Sequence, residues 1–299
     1  MRLGVHLIWE GVLALAAVAL AVLVLSTGRA QLFGAVIGEA GPLGLVASGL
    51  ALSLRTGTPN LAVAPIAAIT SGVAAYLGGG YGWPPAVAIT VALLLALVLG
   101  LILGVFVAAV SVPAWAASIV AAVICEALIF GLSWSVPRTW SADPALPPAA
   151  WFVIFAVVSV GGGVLWLIPK VRDTLSLSRD GDPARWDGLK AGLGALVGLT
   201  GASFLAGLGG IAQLMRLHVT VPSADWSTTG LALAAVLLGG VSLYGRRAGI
   251  AGTLLGVLII SMGRTLMTYH GIAAWLILLA TGLLAALGLI VTRALESFR

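Results

Sequence analysis

The side chains that could carry chemistry are few, and each stands inside or beside a long apolar run. Glu126 lies near the middle of the apolar segment 115–133. A carboxylate at such a depth in lipid costs several kcal/mol unless it is paired or faces a water-filled cavity. Two interpretations of Glu126 stay open: it is a residue of a solute pathway or gate, or it is a protonated or paired carboxylate that holds two helices together.

Asn60 and Ser118 stand at predicted helix breaks, close to Pro59 and Pro113. Backbone groups that a helix break exposes can line a cavity within a membrane protein. Asn60 and Ser118 are therefore candidates for a translocation pathway, together with Glu126. Two further charged residues, Glu39 and Arg264, fall near the ends of apolar segments. We expect each to extend its charged group to the membrane interface.

No sequence motif for covalent or metal chemistry accompanies these residues. The chain contains no phosphate-binding Walker loop, no His-Glu-x-x-His zinc motif and no nucleophile elbow. Its three histidines lack metal-ligand spacing, and its single cysteine, Cys125, excludes a disulfide within the chain. The sequence therefore predicts a protein with no catalytic residue, no metal site and no bound cofactor, whose energy comes from an ion gradient or from another subunit.

The composition identifies the environment that positions these residues. Apolar residues make up 61% of the 299 residues, and charged residues make up only 8%. A soluble domain carries roughly 25% charged residues. So few charges cannot cover a water-exposed surface, so the chain must face lipid and is an integral membrane protein. The net charge of +5 is accordingly no sign of a nucleic-acid partner.

A membrane-spanning helix needs about 20 consecutive residues that are mostly apolar. The sequence predicts an all-α fold, a polytopic bundle of about ten transmembrane helices. The eighth predicted span is short, and we expect it to be tilted or broken. The first span is interpreted as uncleaved rather than as a signal peptide. The predicted spans are 7–26, 36–54, 60–78, 86–110, 115–133, 151–169, 190–215, 228–243, 250–268 and 272–292.

The distribution of basic residues predicts the orientation of these spans. Lysine and arginine are concentrated in the cytoplasmic loops of membrane proteins. With a cytoplasmic N-terminus and ten spans, the C-terminus is also cytoplasmic, and eleven basic residues fall inside against four outside. The inside set is Arg2, Arg55, Lys170, Arg172, Arg179, Arg185, Lys190, Arg246, Arg247, Arg293 and Arg299. The outside set is Arg29, Arg138, Arg216 and Arg264.

The most polar segment of the chain is the predicted cytoplasmic loop 170–190. Within it, Asp182 followed by Pro183 is typical of a helix start, with aspartate as the N-cap and proline at the first helical position. Gly188 would end such a helix after a few residues. The segment is therefore either a short helix at the membrane surface or an ordinary charged loop.

This loop is similar to the Gly-Asn-x-x-Ala-Ala-x-x-x-Gly-Ile loop of type II ABC importer permeases, the family that imports ribose-like sugars, nucleosides and branched-chain amino acids. In that family the loop is the coupling helix that docks on the ATPase. Asp182 stands where the family has asparagine, and Ala184 with Arg185 stands where it has Ala-Ala. The resemblance thus assigns coupling to Gly181, Asp182, Pro183, Ala184, Arg185, Trp186 and Gly188.

The C-terminal third carries the more specific part of the resemblance. The stretch 231–245 resembles the sugar-permease sequence Ala-Val-Val-Leu-Gly-Gly-Thr-Ser-Leu-x-Gly, and 204–207 and 249–256 continue the pattern on either side. Upstream, 113–119 is like the sugar-permease segment Pro-x-Phe-Ile-x-Thr-Leu. The segment 54–63 is similar to strings found in both nucleoside and sugar permeases, which leaves both solute classes open.

The resemblance implies that residues 1–299 form one transmembrane permease domain with a coupling loop at 170–190. It implies a non-catalytic subunit of an importer in the bacterial cytoplasmic (inner) membrane. Its partners would be ABC ATPase subunits that bind ATP, a second permease subunit and an extracytoplasmic substrate-binding protein. A sugar or nucleoside is the expected solute. The alternatives are a secondary transporter driven by an ion gradient, with Glu126 as its ion site, and a membrane scaffold that transports nothing.

Overall fold

Proline and glycine mark where the helices of this protein begin and end. Pro85 and Pro148 are the first residues of two helices, where the missing proline N–H has no intrahelical partner to lose. Gly57, Gly240 and Gly271 follow three helix ends in the left-handed conformation, with φ of 74°, 77° and 72°. Each donates its N–H back into the last turn, a cap that suits glycine because it has no Cβ.

The computed structural model describes residues 3–131, 139–140, 146–175, 189–220, 226–242 and 250–297. Within these residues all regular structure is helical, apart from one isolated antiparallel bridge between Thr139 and Val219. The helices are α1 Leu3–Ser26, α2 Ala30–Arg55, α3 Val63–Ala75, α4 Pro85–Val110, α5 Ala114–Gly131, α6 Pro148–Leu167, α7 Pro169–Leu175, α8 Leu189–Leu217, α9 Trp226–Leu238, α10 Gly252–Tyr269 and α11 Ala274–Ser297. A π-helical turn, Tyr76–Gly80, extends α3.

The predicted polytopic bundle is confirmed. In the described ranges, nine helices are long and apolar enough to cross a membrane, and they coincide with nine of the ten predicted spans. The predicted short span at 228–243 corresponds to α9, whose 13 residues extend only about 20 Å. That length is less than the hydrocarbon thickness of about 30 Å. The remaining helix, α7, has seven residues and lies at the start of the polar segment that is predicted to be cytoplasmic.

Two helices, α2 and α8, form the centre of the bundle. Both are lined with glycines that let neighbouring backbones approach closely, as is common in membrane helices. A Cβ at Gly44 would collide with the Phe155 ring of α6, and a Cβ at Gly210 would lie 2.1 Å from the Ala67 carbonyl oxygen of α3. Close packing on several sides therefore fixes α2 and α8 at the core.

The outer helices are apolar on their exposed faces. Few residues of the spans Leu7–Ser26 and Ala274–Ala294 are buried, and α4 and α5 also expose large aliphatic side chains. This distribution suits a protein whose solvent around the middle of the bundle is lipid. Arg55 was predicted to belong to a cytoplasmic loop. In the structure it lies in the last turn of α2 and is buried, with 4% of its surface exposed.

Candidate functional site

The connection between α2 and α3 is irregular in backbone and buried in the protein. Thr56, Thr58 and Asn60 are 0%, 4% and 0% exposed. Both threonine hydroxyls pack against Gly198 of α8, at the position a Cβ would otherwise occupy. Irregular backbone at membrane depth is tolerated where it is enclosed by protein or lines a cavity. The connection meets the first of these conditions.

Asn60 is the centre of this connection. Its Nδ2 donates a hydrogen bond to Oγ of Ser203 in α8 over 3.1 Å, and its Oδ1 accepts the backbone N–H of Ala62 over 3.0 Å. Its own N–H donates to Oγ of Ser53 in α2 over 3.0 Å. Asn60 thus joins three elements: its side chain contacts the start of α3 and the interior of α8, and its backbone N–H contacts the end of α2.

Ser118 of α5 completes the connection. Its Oγ accepts the Leu61 N–H over 3.0 Å and lies 2.9 Å from the Trp115 carbonyl oxygen, to which it donates. The structure therefore brings together Asn60 and Ser118, the two pathway candidates at predicted breaks. Both are 0% exposed, and their contacts satisfy the backbone groups of the break. A role for either in the pathway stays a prediction.

Glu126 lies apart from Asn60 and Ser118, toward the other end of α5. Its Oε2 accepts a hydrogen bond from Nε1 of Trp226, the first residue of α9, over 3.3 Å. Glu126 is half-buried, and the neighbouring Val123 and Ile124 are more than half exposed. The carboxylate therefore stands on an outward face of the bundle, where its described polar partner is the indole of Trp226.

The residues to which the resemblance assigns coupling lie outside the described ranges. They are Gly181, Asp182, Pro183, Ala184, Arg185, Trp186 and Gly188. Part of the C-terminal string that resembles sugar permeases, residues 243–249, also lies outside them. The coupling assignment accordingly stays a prediction.

A cavity of about 520 Å³ lies between α2, α3, α8, α9 and α10. Its lining comes from the start of α9, the N-terminal half of α2 and the C-terminal parts of α8 and α10. It is therefore nearer the end of the bundle that the sequence predicts to be external. Its volume falls within the range of small-molecule sites in proteins, which is roughly 300–1,000 Å³. Much of the wall is aliphatic, and the backbone at Gly209 and Gly210 forms part of it.

An ion pair stands in the wall of this cavity. Arg264 of α10 donates from Nη1 to Oε1 of Glu39 in α2. The side chains are 36% and 21% exposed, so both groups are partly withdrawn from solvent but reach the cavity. The two residues, which the sequence pattern treats one at a time, are partners in the structure, and their extension to the membrane interface stays a prediction. Pairing lowers the cost of withdrawing these two charges from water, compared with withdrawing either charge alone.

Four uncharged polar residues share the cavity wall with the ion pair: Ser71, Gln213, Thr220 and Thr228. These amide and hydroxyl groups include both hydrogen-bond donors and acceptors. None of the four is predicted from the sequence to be a site residue. The signal available for the ion pair was the position of two opposite charges near the same predicted end of two spans, but nothing in the sequence indicated that α2 and α10 are neighbours.

The described residues contain no group of three or more histidine, cysteine, aspartate or glutamate side chains placed to hold a metal ion. Separately, the polar side chains that line the cavity can form hydrogen bonds and electrostatic contacts.

Comparison with known proteins gives one relative. The chain is 31% identical over 134 residues to the ribose import permease protein RbsC of Bacillus subtilis (strain 168). The match covers 44% of this chain and 42% of that relative, so it spans less than half of either. No protein-family model and no solved structure matches the chain. The relative nonetheless confirms what the sequence strings indicated: this multi-pass membrane protein resembles the permease subunits of type II ABC importers.

Proposed function

We propose that this chain is the membrane-spanning permease subunit of an ATP-driven importer for a small polar solute. The observation that carries the proposal is a cavity of about 520 Å³, with an ion pair and four uncharged polar side chains, inside an otherwise apolar bundle. Polar groups inside a membrane protein are costly and typically mark substrate or ion pathways. The similarity to a ribose import permease supports the direction of transport and favours a sugar, with a nucleoside as the second solute class.

The chain would hold no catalytic residue and no cofactor. ATP would bind to separate ATPase subunits at the cytoplasmic surface. The segment 181–188 would receive their movement, because it resembles the coupling helix and lies between α7 and α8. Closure of the ATPases would then switch the pathway from outward to inward facing by moving packed helices as bodies. An extracytoplasmic binding protein would deliver the solute to the opposite face in the bacterial inner membrane.

A second permease subunit would complete the pathway. Glu126 supports this part of the proposal because it stands half-buried on an outward face of α5 beside exposed aliphatic side chains. A carboxylate that faces lipid is costly, and covering it with another subunit would remove that cost. In this arrangement Glu126 would line a pathway between the two subunits, which is the first of the two interpretations that the sequence leaves open. Asn60 and Ser118 would support this pathway by fixing the start of α3 against α8 and α5.

The test is the energy source of uptake. Cells of the native host that express the chain would be supplied with radiolabelled D-ribose, first with a protonophore while ATP stays high, and then with ATP depleted while an ion gradient is maintained. We expect uptake to persist in the first condition and to stop in the second. The reverse result would overturn the ATP-driven proposal and establish the ion-gradient alternative. A strain that lacks the chain is the control for other ribose carriers.

A further inference from the structure

The cavity between α2, α3, α8, α9 and α10 contains charges of both signs. Among its described lining residues, Glu39 and Arg264 are the charged ones, and they form an ion pair. The formal charge of the described wall is therefore zero, although each member of the pair would by itself give the cavity a sign. The sum matters because low-dielectric walls concentrate the field of a charge within a cleft.

The ion pair is also available to a solute. Its contact joins one guanidinium N–H to one carboxylate oxygen, and a guanidinium has further N–H donors while a carboxylate has a second oxygen. The exposed fractions of 36% and 21% mean that neither side chain is sealed within the protein. Ser71 and Gln213 lie in the same wall and add uncharged groups that can form hydrogen bonds.

We infer that Glu39 and Arg264 act together as a charge filter in the wall of the cavity. Solutes without net charge, such as polyols and zwitterions, enter because the paired charges neither repel nor retain them. Solutes with a net negative or positive charge gain nothing that compensates for the water they lose. This inference rests on the proposed function for its biological meaning, but the electrostatic property itself belongs to the cavity and can be measured without transport.

A competing explanation is that the ion pair only joins α2 to α10. The two explanations differ in how the single charges act. If the ion pair only links the two helices, removal of either partner weakens that link, and the cavity does not respond to the sign of the charge that remains. A filter responds with opposite signs, because removal of Glu39 leaves a positive cavity and removal of Arg264 leaves a negative one.

The experiment uses charged thiol reagents to measure the sign of the electrostatic potential in the cavity. Ser71→Cys, in a Cys125→Ala background, introduces a thiol into the wall of the purified full chain in detergent. Its labelling rate is compared for methanethiosulfonates of similar size that carry an ethylsulfonate anion or an ethyltrimethylammonium cation. We expect Glu39→Gln to lower the cation-to-anion rate ratio by about tenfold, and Arg264→Gln to raise it by about as much, from one unbalanced charge in the wall of the same cavity. The double neutral variant should return the ratio to its starting value.

A thiol outside the cavity provides the matched control. Ser26→Cys, at the exposed end of α1, should show a ratio that neither substitution changes. If a single variant fails to fold, the exchange Glu39→Arg with Arg264→Glu keeps an ion pair, and its ratio should match that of the unchanged pair. A ratio at position 71 that stays constant in folded single variants would overturn the filter and leave a structural link. Absence of labelling at both position 71 and a Gln213→Cys site would also overturn it.

The labelling result and the transport result are independent. Signed labelling in a protein whose uptake fails the energy-source test would preserve the filter and reject the ATP-driven importer. ATP-driven uptake combined with constant labelling ratios would preserve the importer and reject the filter.

Discussion

Asn60 and Ser203 are 143 positions apart in the chain, yet Nδ2 of Asn60 donates a hydrogen bond to Oγ of Ser203 over 3.1 Å. Ser203 lies about 20 Å along α8 from its first residue. The contact therefore places the irregular α2–α3 connection well inside the bundle rather than at its surface. An enclosed break of this kind depends on complete hydrogen bonding, because no bulk water is available to replace a missing partner.

This relationship predicts unequal costs for its two partners. Asn60→Ala removes the bond to Ser203 and also the acceptor for the Ala62 N–H, so we expect a loss of about 1–3 kcal/mol for each group left unsatisfied. Ser203→Ala removes one bond only and should lower the thermal midpoint in detergent by less. Equal midpoints for Asn60→Ala and the unchanged protein would contradict the assigned contacts.

Two glycines in the same helix provide a matched pair. A Cβ at Gly256 of α10 would lie 2.1 Å from the Ala235 carbonyl oxygen of α9, whereas a Cβ at Gly263 meets nothing within 4 Å. Gly256→Ala should therefore force α9 and α10 apart and cost about 1–3 kcal/mol or more. Gly263→Ala should be neutral or stabilising by up to about 1 kcal/mol, since alanine is the better helix former. Thermal unfolding in detergent measures both, and equal effects would refute the close contact.

Glu126 is testable through its partner. Glu126→Gln keeps an oxygen that can accept the Trp226 N–H, so the variant should express and fold normally. If Glu126 lines a pathway between two subunits, solute uptake should fall severalfold because the charge is lost. Trp226→Phe, which removes the donor and keeps the ring, separates loss of the hydrogen bond from loss of the charge. Normal uptake in Glu126→Gln would instead assign the residue a structural role.

The predicted coupling segment is tested by charge reversal. Arg185→Glu should abolish most uptake while the bundle stays folded and the ATPases continue to hydrolyse ATP, because transmission and not assembly is affected. Arg172→Glu in α7 is the matched reversal outside 181–188, on a side chain that contacts Asp173 at the exposed surface. Full uptake in Arg185→Glu, or the same loss in both variants, would remove the coupling assignment from this residue.

The predicted orientation has a direct chemical test. Asp182→Cys in a Cys125→Ala background should react with a membrane-impermeant maleimide only in inside-out vesicles, because the loop 170–190 is predicted to be cytoplasmic. Ser26→Cys, at the opposite end of α1 from the N-terminus, should react only in intact spheroplasts. Reaction of position 182 from outside would reverse the topology and with it the external position of the cavity.

The sequence by itself determined the class of the protein and most of its helices. Runs of apolar residues long enough to cross a bilayer are local features, and proline or glycine at their ends sets the boundaries, as at Pro85 and Gly57. The break before α3 and the shortness of α9 were also predictable, because both depend on neighbours in the chain. The strings that resemble importer permeases are equally local.

Only the tertiary structure decided which helices meet. Lipid-facing and helix-facing positions are both apolar here, so the sequence pattern does not indicate which face of α2 packs on α10. For that reason the pairing of Glu39 with Arg264, 225 positions apart, was not predicted. The cavity that these two residues line was not predicted either. The contact of Asn60 with Ser203 likewise depends on glycines that let α2, α3 and α8 approach within backbone contact. Packing between helices that are distant in the chain therefore decided which polar residues contact each other.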